Sequence, residues 1–98
     1  MKIKLEWASV DKIKHCSWQA GMEYAASLGD DWRLPTRLEL FTKMDAGKIK
    51  SVPEGHYWSS SPYANGTGFA WVVHLWYGFV IFVSKTFNYY AWPVRERQ

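Results

Sequence analysis

Few side chains in this 98-residue sequence are of a type and spacing that could do chemistry. His15 and Cys16 are adjacent, and a Cys/His couple can supply the nucleophile and base of covalent catalysis. That chemistry also needs a third group to orient the imidazole and an oxyanion site. Neighbours at i,i+1 on a helix do not face each other, so Cys16 reads as a small buried or half-buried thiol. Ser59, Ser60 and Ser61 have no adjacent base and no Gly-x-Ser-x-Gly elbow. His15, His56 and His74 are far apart, with one cysteine to join them, which is no zinc spacing. His74, beside Trp76, reads as a sheet-face residue. Asn65-Gly66-Thr67 matches a glycosylation sequon, but without a secretion signal it reads as a turn. With no acid/base pair and no nucleophile constellation, the expectation is a non-enzymatic protein without catalytic residues, metal or cofactor.

The aromatic residues are the stronger candidates, and their chemistry is recognition. Tyr63 falls in a loop, Trp76 and Tyr77 at a hairpin tip, Phe87 in the next turn, and Tyr89, Tyr90 and Trp92 in a final strand. Strand alternation cannot bury all of these. Exposed Trp and Tyr mark partner sites because they carry much area at low entropy cost. The candidate partner-binding residues are Tyr63, Trp76, Tyr77, Phe87, Tyr89 and Trp92, with exposure expected above all at Tyr63, Trp76 and Tyr77. The competing reading, that they complete a small aromatic core, stays open here.

The totals bound the rest. Ninety-eight residues suit one domain, 1–98. The chain is 48% hydrophobic and 18% aromatic, with seven Trp and six Tyr, more than so small a core readily hides. Net charge is +3 and the pI near 9.1, with the charges interspersed apart from a bias at Lys2, Lys4, Lys12 and Lys14. This reads as a solvated surface and is thin for single-stranded nucleic-acid binding. A single cysteine permits no intramolecular disulfide. With no signal peptide and no apolar run long enough to span a membrane, the expectation is a cytoplasmic protein with no membrane partner.

The elements that position these residues follow from periodicity. Lys2 to Trp7 alternates as a half-buried strand, and Asp11–His15 is a loop or a helix start. Trp18, Met22, Ala25 and Ala26 fall on one helical face, stopped at Gly29. In Asp31-Trp32-Arg33-Leu34-Pro35-Thr36-Arg37-Leu38-Glu39-Leu40, Pro35 ends the preceding segment. Thr36 and Glu39 then have the capping-box spacing that opens a second helix. Leu38, Phe41 and Met44 form its expected apolar side, with Leu40 close by, and Gly47 ends it. Arg33 has three partners open to it: Asp31, Glu39 or backbone carbonyls. After a polar connection over Lys48–His56, strands are expected at 57–61, 69–75, 79–84 and 89–95. Asn65-Gly66 and Trp76-Tyr77-Gly78 serve as turns, and Pro93 marks an edge or bulge. Segregated helices and strands argue α+β, with the first and last strands pairing to tie the termini.

Trp32-Arg33-Leu34-Pro35-Thr36, Tyr57-Trp58-Ser59-Ser60-Ser61, Ala70-Trp71-Val72-Val73, Gly78 and Val94-Arg95 together resemble the Lcl C-terminal domain family, from about Trp7 to Arg95. That family is bacterial and phage-borne, mostly of unknown function and similar to the C-type-lectin-like fold. The resemblance implies paired termini, two helices, a twisted antiparallel sheet and a loop-rich binding face. It also implies a structural role for Trp32, Arg33, Pro35, Thr36, Glu39, Trp58 and Trp71. The cysteines that relatives often carry correspond to Ala25 and Pro93, and a usual arginine corresponds to Trp92. These departures fit a reducing cytoplasm better than an extracellular adhesin. The Glu-Pro-Asn and Gln-Pro-Asp triplets of calcium-dependent lectins are missing, and Ser51–Gln98 holds only Glu54 and Glu96 as acids, too few for calcium. The expected function is a small binding module that engages a protein partner, in the manner of a phage-encoded inhibitor of a host or defence protein. The alternative is a calcium-independent carbohydrate-binding domain. A homodimer is compatible with either.

Overall fold

The computed structural model describes residues 4–47 and 51–97. Lys2 and Ile3 of the predicted first strand, and residues 48–50 of the predicted connection, lie outside the described residues. In chain order the elements are β1 (Lys4–Trp7), a 3-10 turn (Val10–Lys12), β2 (Lys14–Cys16), α1 (Trp18–Ser27), α2 (Arg37–Gly47), β3 (His56–Pro62), β4 (Phe69–His74), β5 (Val80–Ser84), β6 (Tyr89–Ala91) and β7 (Val94–Arg97). The architecture is α+β, as expected. β1 and β7 pair antiparallel, Lys4 opposite Arg97 and Trp7 opposite Val94, and this ties the ends of the described chain together.

The remaining strands form a second sheet in the order β2-β6-β3-β4-β5. Three expectations are corrected here. Asp11–His15 is neither loop nor helix start throughout, because Lys14–Cys16 forms strand β2 against β6. The sheet is mixed rather than antiparallel, because β6 inserts between β2 and β3 and runs parallel to β3 at Tyr57 and Tyr90. The single last strand is two strands in two sheets. Pro93 has no N–H to continue a ladder, and the chain breaks at Trp92-Pro93. The Pro93 carbonyl accepts from Ala8 N at 2.9 Å, which hands the chain over to β1.

Each face of the larger sheet carries one helix. Under α1 lie Cys16, Trp58, Ala70, Val72 and Ala91, packed with Ala25 and Leu34. Under α2 lie Tyr57, Val73, Leu75 and Trp92, packed with Leu40, Val52 and Ala8. Directly paired residues share a face, so the Trp58–Val72 and Tyr57–Val73 pairs divide the two cores. α1 approaches β6 closely at Gly21, where a Cβ would stand 3.2 Å from Ala91 Cβ. The apolar side expected for α2 is only partly right. Leu40 is fully buried and Met44 packs on the core, while Leu38 is 71% exposed and Phe41 is also exposed. At about 100° per residue, the i,i+4 pair Leu40 and Met44 faces the sheet and Leu38 turns away from it.

The stretch around Pro35 connects the layers. Thr36 Oγ1 accepts from Glu39 N at 3.1 Å, and Glu39 Oε1 accepts from Thr36 N at 2.8 Å, a complete capping box. Ser61 Oγ accepts from Arg37 N, so a third first-turn N–H is satisfied from β3. Arg33 forks onto Glu39, Nη1 to Oε1 at 2.8 Å and Nη2 to Oε2 at 3.0 Å, so of its three open partners Glu39 and a carbonyl are used and Asp31 is not. Its Nη1 also donates to Leu34 O, and its backbone bonds Val94 in both directions. Pro35 O accepts from Ser60 N. One short segment is thereby tied to α2, β3 and β7 together.

Candidate functional site

The sequence-predicted aromatics do not form one cluster. Trp92 is the clear correction: it is 4% exposed, its Nε1–H donates to Ala8 O at 2.7 Å, and it packs on Trp7 and Tyr57. The break at Pro93 turns it inward, so it is a core residue and presents nothing to a partner. Tyr63 is half-buried. Its ring stacks on Phe82 with centroids 4.0 Å apart and an 18° tilt, and Phe69 and Trp71 stand edge-on to it. Arg37 lies 4.4 Å over the Trp71 ring. This group sits on the α2 side of the β4–β5 pair.

The others fall into a row on the opposite face, beyond the area that α1 covers. His56 on β3 is opposite His74 on β4, with ring centroids 5.0 Å apart. His74 stacks on Tyr77 at 5.0 Å, and Phe79 stands beside both. On the other side His56 meets Tyr89 at 5.3 Å, and Tyr89 meets Phe87 at 6.2 Å. The row therefore runs Phe79, Tyr77, His74, His56, Tyr89, Phe87, from the β4–β5 turn across β4, β3 and β6 to the turn before β6. Tyr77 and Phe79 are 64% and 61% exposed, and Phe87 and Trp76 are exposed as well. Of the predicted partner-binding residues, the structure brings together Tyr77, Tyr89 and Phe87, with Trp76 at the adjoining tip. Tyr63 and Trp92 are elsewhere.

His74 builds the tip. Its backbone N–H donates to Phe79 O at 2.8 Å, and its carbonyl accepts from Gly78 N at 2.7 Å. Its Nδ1 accepts from Trp76 N at 3.3 Å and Tyr77 N at 3.2 Å. An acceptor Nδ1 leaves the proton on Nε2, which points toward Glu54 Oε2 at 3.8 Å. One imidazole thus fixes the backbone that presents Trp76 and Tyr77. Burial, with the neighbouring His74 imidazole second, pushes the His56 imidazole below its ordinary pKa and favours its neutral form. Gly78 closes the turn at φ +80°, and a Cβ there would stand 2.8 Å from Met44 Cε. Gly78→Ala is therefore expected to lower stability by about 1–3 kcal/mol, read as a fall in the urea midpoint at unchanged slope.

The groups weighed for catalysis are occupied structurally. Burial raises the Cys16 thiol pKa, the direction opposite to thiolate activation. Ser59 Oγ donates to Trp71 O at 2.7 Å and accepts from Ser61 N, which satisfies the backbone where the β3 register shifts. Of the residues named as a structural motif, Trp58 and Pro35 are fully buried, Trp32 lies beneath Arg95 at 4.7 Å, and Trp71 is half-buried beneath Arg37. Among the described residues, no group of three or more His, Cys, Asp or Glu could hold a metal ion. No helix among them is long and apolar enough to cross a membrane. Sequence reasoning missed Phe79, His56 and His74 as members of the row. The available signal was register: His56 and His74 become neighbours once β3 and β4 are paired.

No curated protein matches the chain in sequence. The family model of the Lcl C-terminal domain matches residues 1–95, and the chain belongs to that family.

Proposed function

We propose that this protein is a non-catalytic binding module that engages a protein partner through the row of Tyr77, Phe79, Tyr89 and Phe87 with Trp76 at its tip, on a C-type-lectin-like scaffold. The observation that carries this reading is the row itself: exposed Tyr77, Phe79 and Phe87 and half-buried Tyr89 at the two ends of a line of aromatic rings, with the tip held by a buried histidine. Aromatic anchors on a rigid backbone are the groups that dominate protein interfaces. A row of this kind acts by covering a partner's surface, and inhibition of that partner is the proposed mode of action. An intracellular setting belongs with this reading, since a lone buried thiol leaves the fold to packing alone.

The test is an affinity pull-down from bacterial lysate with the wild type beside a Trp76→Ala, Tyr77→Ala double variant. A partner retained by the wild type should be weakened by about 2 kcal/mol or more, roughly 30-fold, in the variant. Circular dichroism confirms that the variant is folded. A partner held equally by both moves the site off the tip. No partner, together with binding on a glycan array lost in the same variant, would replace this reading by calcium-independent carbohydrate recognition.

A further inference from the structure

We propose that β5 is the self-association edge of this protein, pairing antiparallel with β5 of a second copy about a two-fold axis at Phe82. The two edges of the larger sheet differ. β2 is short, three residues, and carries Lys14 and His15, both exposed. A short strand with a charged residue is a blunted edge. β5 reads Val80-Ile81-Phe82-Val83-Ser84, with no charge and no proline, and Ile81 and Phe82 are both exposed, one on each face of the sheet. Such an edge invites another strand.

The ladder shows which backbone groups remain for that strand. His74 N donates to Phe79 O, and Lys85 N donates to Gly68 O. Bonding residues alternate along an antiparallel strand, so Phe79, Ile81, Val83 and Lys85 direct their groups at β4 and its flanks. Val80, Phe82 and Ser84 direct theirs outward. Among the described residues, the only backbone hydrogen bond outside the strand ladder that reaches this outward row is Phe87 N to Ser84 O. A carbonyl has a second lone pair. The row is symmetric about Phe82: its N–H and C=O meet those of the second copy's Phe82, and Ser84 meets the second copy's Val80 in both directions. The charge pattern selects a second copy at this edge and not at the other. Two β5 strands bring no like charges together, whereas two β2 strands would bring two exposed lysines into one short ladder. The edge adjoins the aromatic row at Phe79 and at Phe87, whose N–H donates to Ser84 O, but its test reads mass and changes Phe82 and Ile81, neither of them in the row, so it is independent of the proposed function.

The experiment is light-scattering mass measurement of the purified full chain across a concentration series. The wild type should reach twice the 11.5 kDa of one chain. Phe82→Lys and Phe82→Glu should each stay at 11.5 kDa, since like charges then stand directly opposite, and an equimolar mixture of the two should regain the doubled mass. Ile81→Lys, on the other face of the edge, gives a second monomeric variant should either Phe82 change disturb folding as seen by circular dichroism. In the wild-type dimer the amides of Val80, Phe82 and Ser84 should be protected from hydrogen exchange. A monomeric wild type overturns the proposal, even if an extended peptide binds it. A doubled mass that survives the single charge changes, or that coexists with freely exchanging Val80 and Phe82 amides, overturns it equally.

Discussion

Trp58→Ala is expected to cost about 3–5 kcal/mol, enough to leave a domain whose total stability is of the order of 5–15 kcal/mol partly unfolded at ambient temperature. Trp58 has no exposed surface and lies at the centre of the α1-side core with Leu34, Val72 and Ala91. Its ring is edge-on to Tyr89, a member of the aromatic row, at 5.4 Å. Its Nε1–H donates to Cys16 O at 2.8 Å, while Trp18 Nε1–H donates to Ser59 O at 2.9 Å. Two indoles thus lock residues 16–18 to residues 58–59 reciprocally, joining the β2–α1 junction to β3. Alanine removes the ring and leaves a carbonyl without its donor. Trp58→Phe shifts the balance between these effects: it keeps most of the apolar volume and loses the N–H with a smaller part of the ring, for an expected cost of about 1–3 kcal/mol. Urea unfolding followed by far-UV circular dichroism gives both values. An alanine variant within about 1 kcal/mol of the wild type, below the range for an emptied aromatic site, would place the main core elsewhere.

What was legible in the sequence was what local spacing decides. Thr36 and Glu39 stand three residues apart, so their reciprocal bonds could be read directly, and the structure has both. The pairing of first and last strands was expected from the α+β order of elements, and it holds, although the partner of β1 is Val94–Arg97 and not the strand expected from residue 89. Arg33 was harder, because Asp31, Glu39 and carbonyls are all within reach in sequence, and only the geometry of the cap selects Glu39. What could not be read depends on how distant segments are set against each other. The insertion of β6 between β2 and β3 leaves no local mark, yet it brings Tyr89 to His56 and creates the row. Trp92 looked like a strand residue of uncertain side until Pro93 was seen to hand the chain to β1. Of the seven tryptophans, Trp58 and Trp92 are buried, Trp76 is exposed, and Trp7, Trp18, Trp32 and Trp71 are half-buried. Composition anticipated that a core of this size would not hide them all, but not which would remain outside.

The second large effect is at Glu39, where fold and pH meet. Its carboxylate receives both Arg33 nitrogens and the Thr36 N–H, so removing its charge breaks the fork and leaves a half-buried guanidinium with only Leu34 O at 3.2 Å and Glu96 Oε1 at 3.5 Å. Glutamine also closes a capping box, its side-chain oxygen still accepting from the Thr36 N–H, whereas loss of a hydrogen bond to a charged group costs about 1.5–3 kcal/mol. Glu39→Gln therefore tests the charged fork itself, and it is expected to cost about 1.5–3 kcal/mol at neutral pH. The Arg33 hydrogen bonds hold the Glu39 carboxyl below the ordinary carboxylate pKa of 4.5, with the Thr36 N–H adding to the effect and burial opposing it. A pKa lower in the folded than in the unfolded chain means that the unfolded chain binds the proton first as pH falls. The stabilisation is therefore full above pH 4.5 and is lost as pH drops from there through the folded-state value. The Gln variant has no proton to take up at this site. The stability difference between wild type and Glu39→Gln should be constant from pH 7 to about pH 5.5 and shrink steadily below pH 4.5. Glu6 is also lowered, by Arg95 and Arg97, and gives acid sensitivity to both proteins alike, so the subtraction cancels it. A difference that stays unchanged down to pH 3 would mean that Glu39 acts through shape and neutral hydrogen bonding alone, with the ion pair to Arg33 contributing nothing measurable.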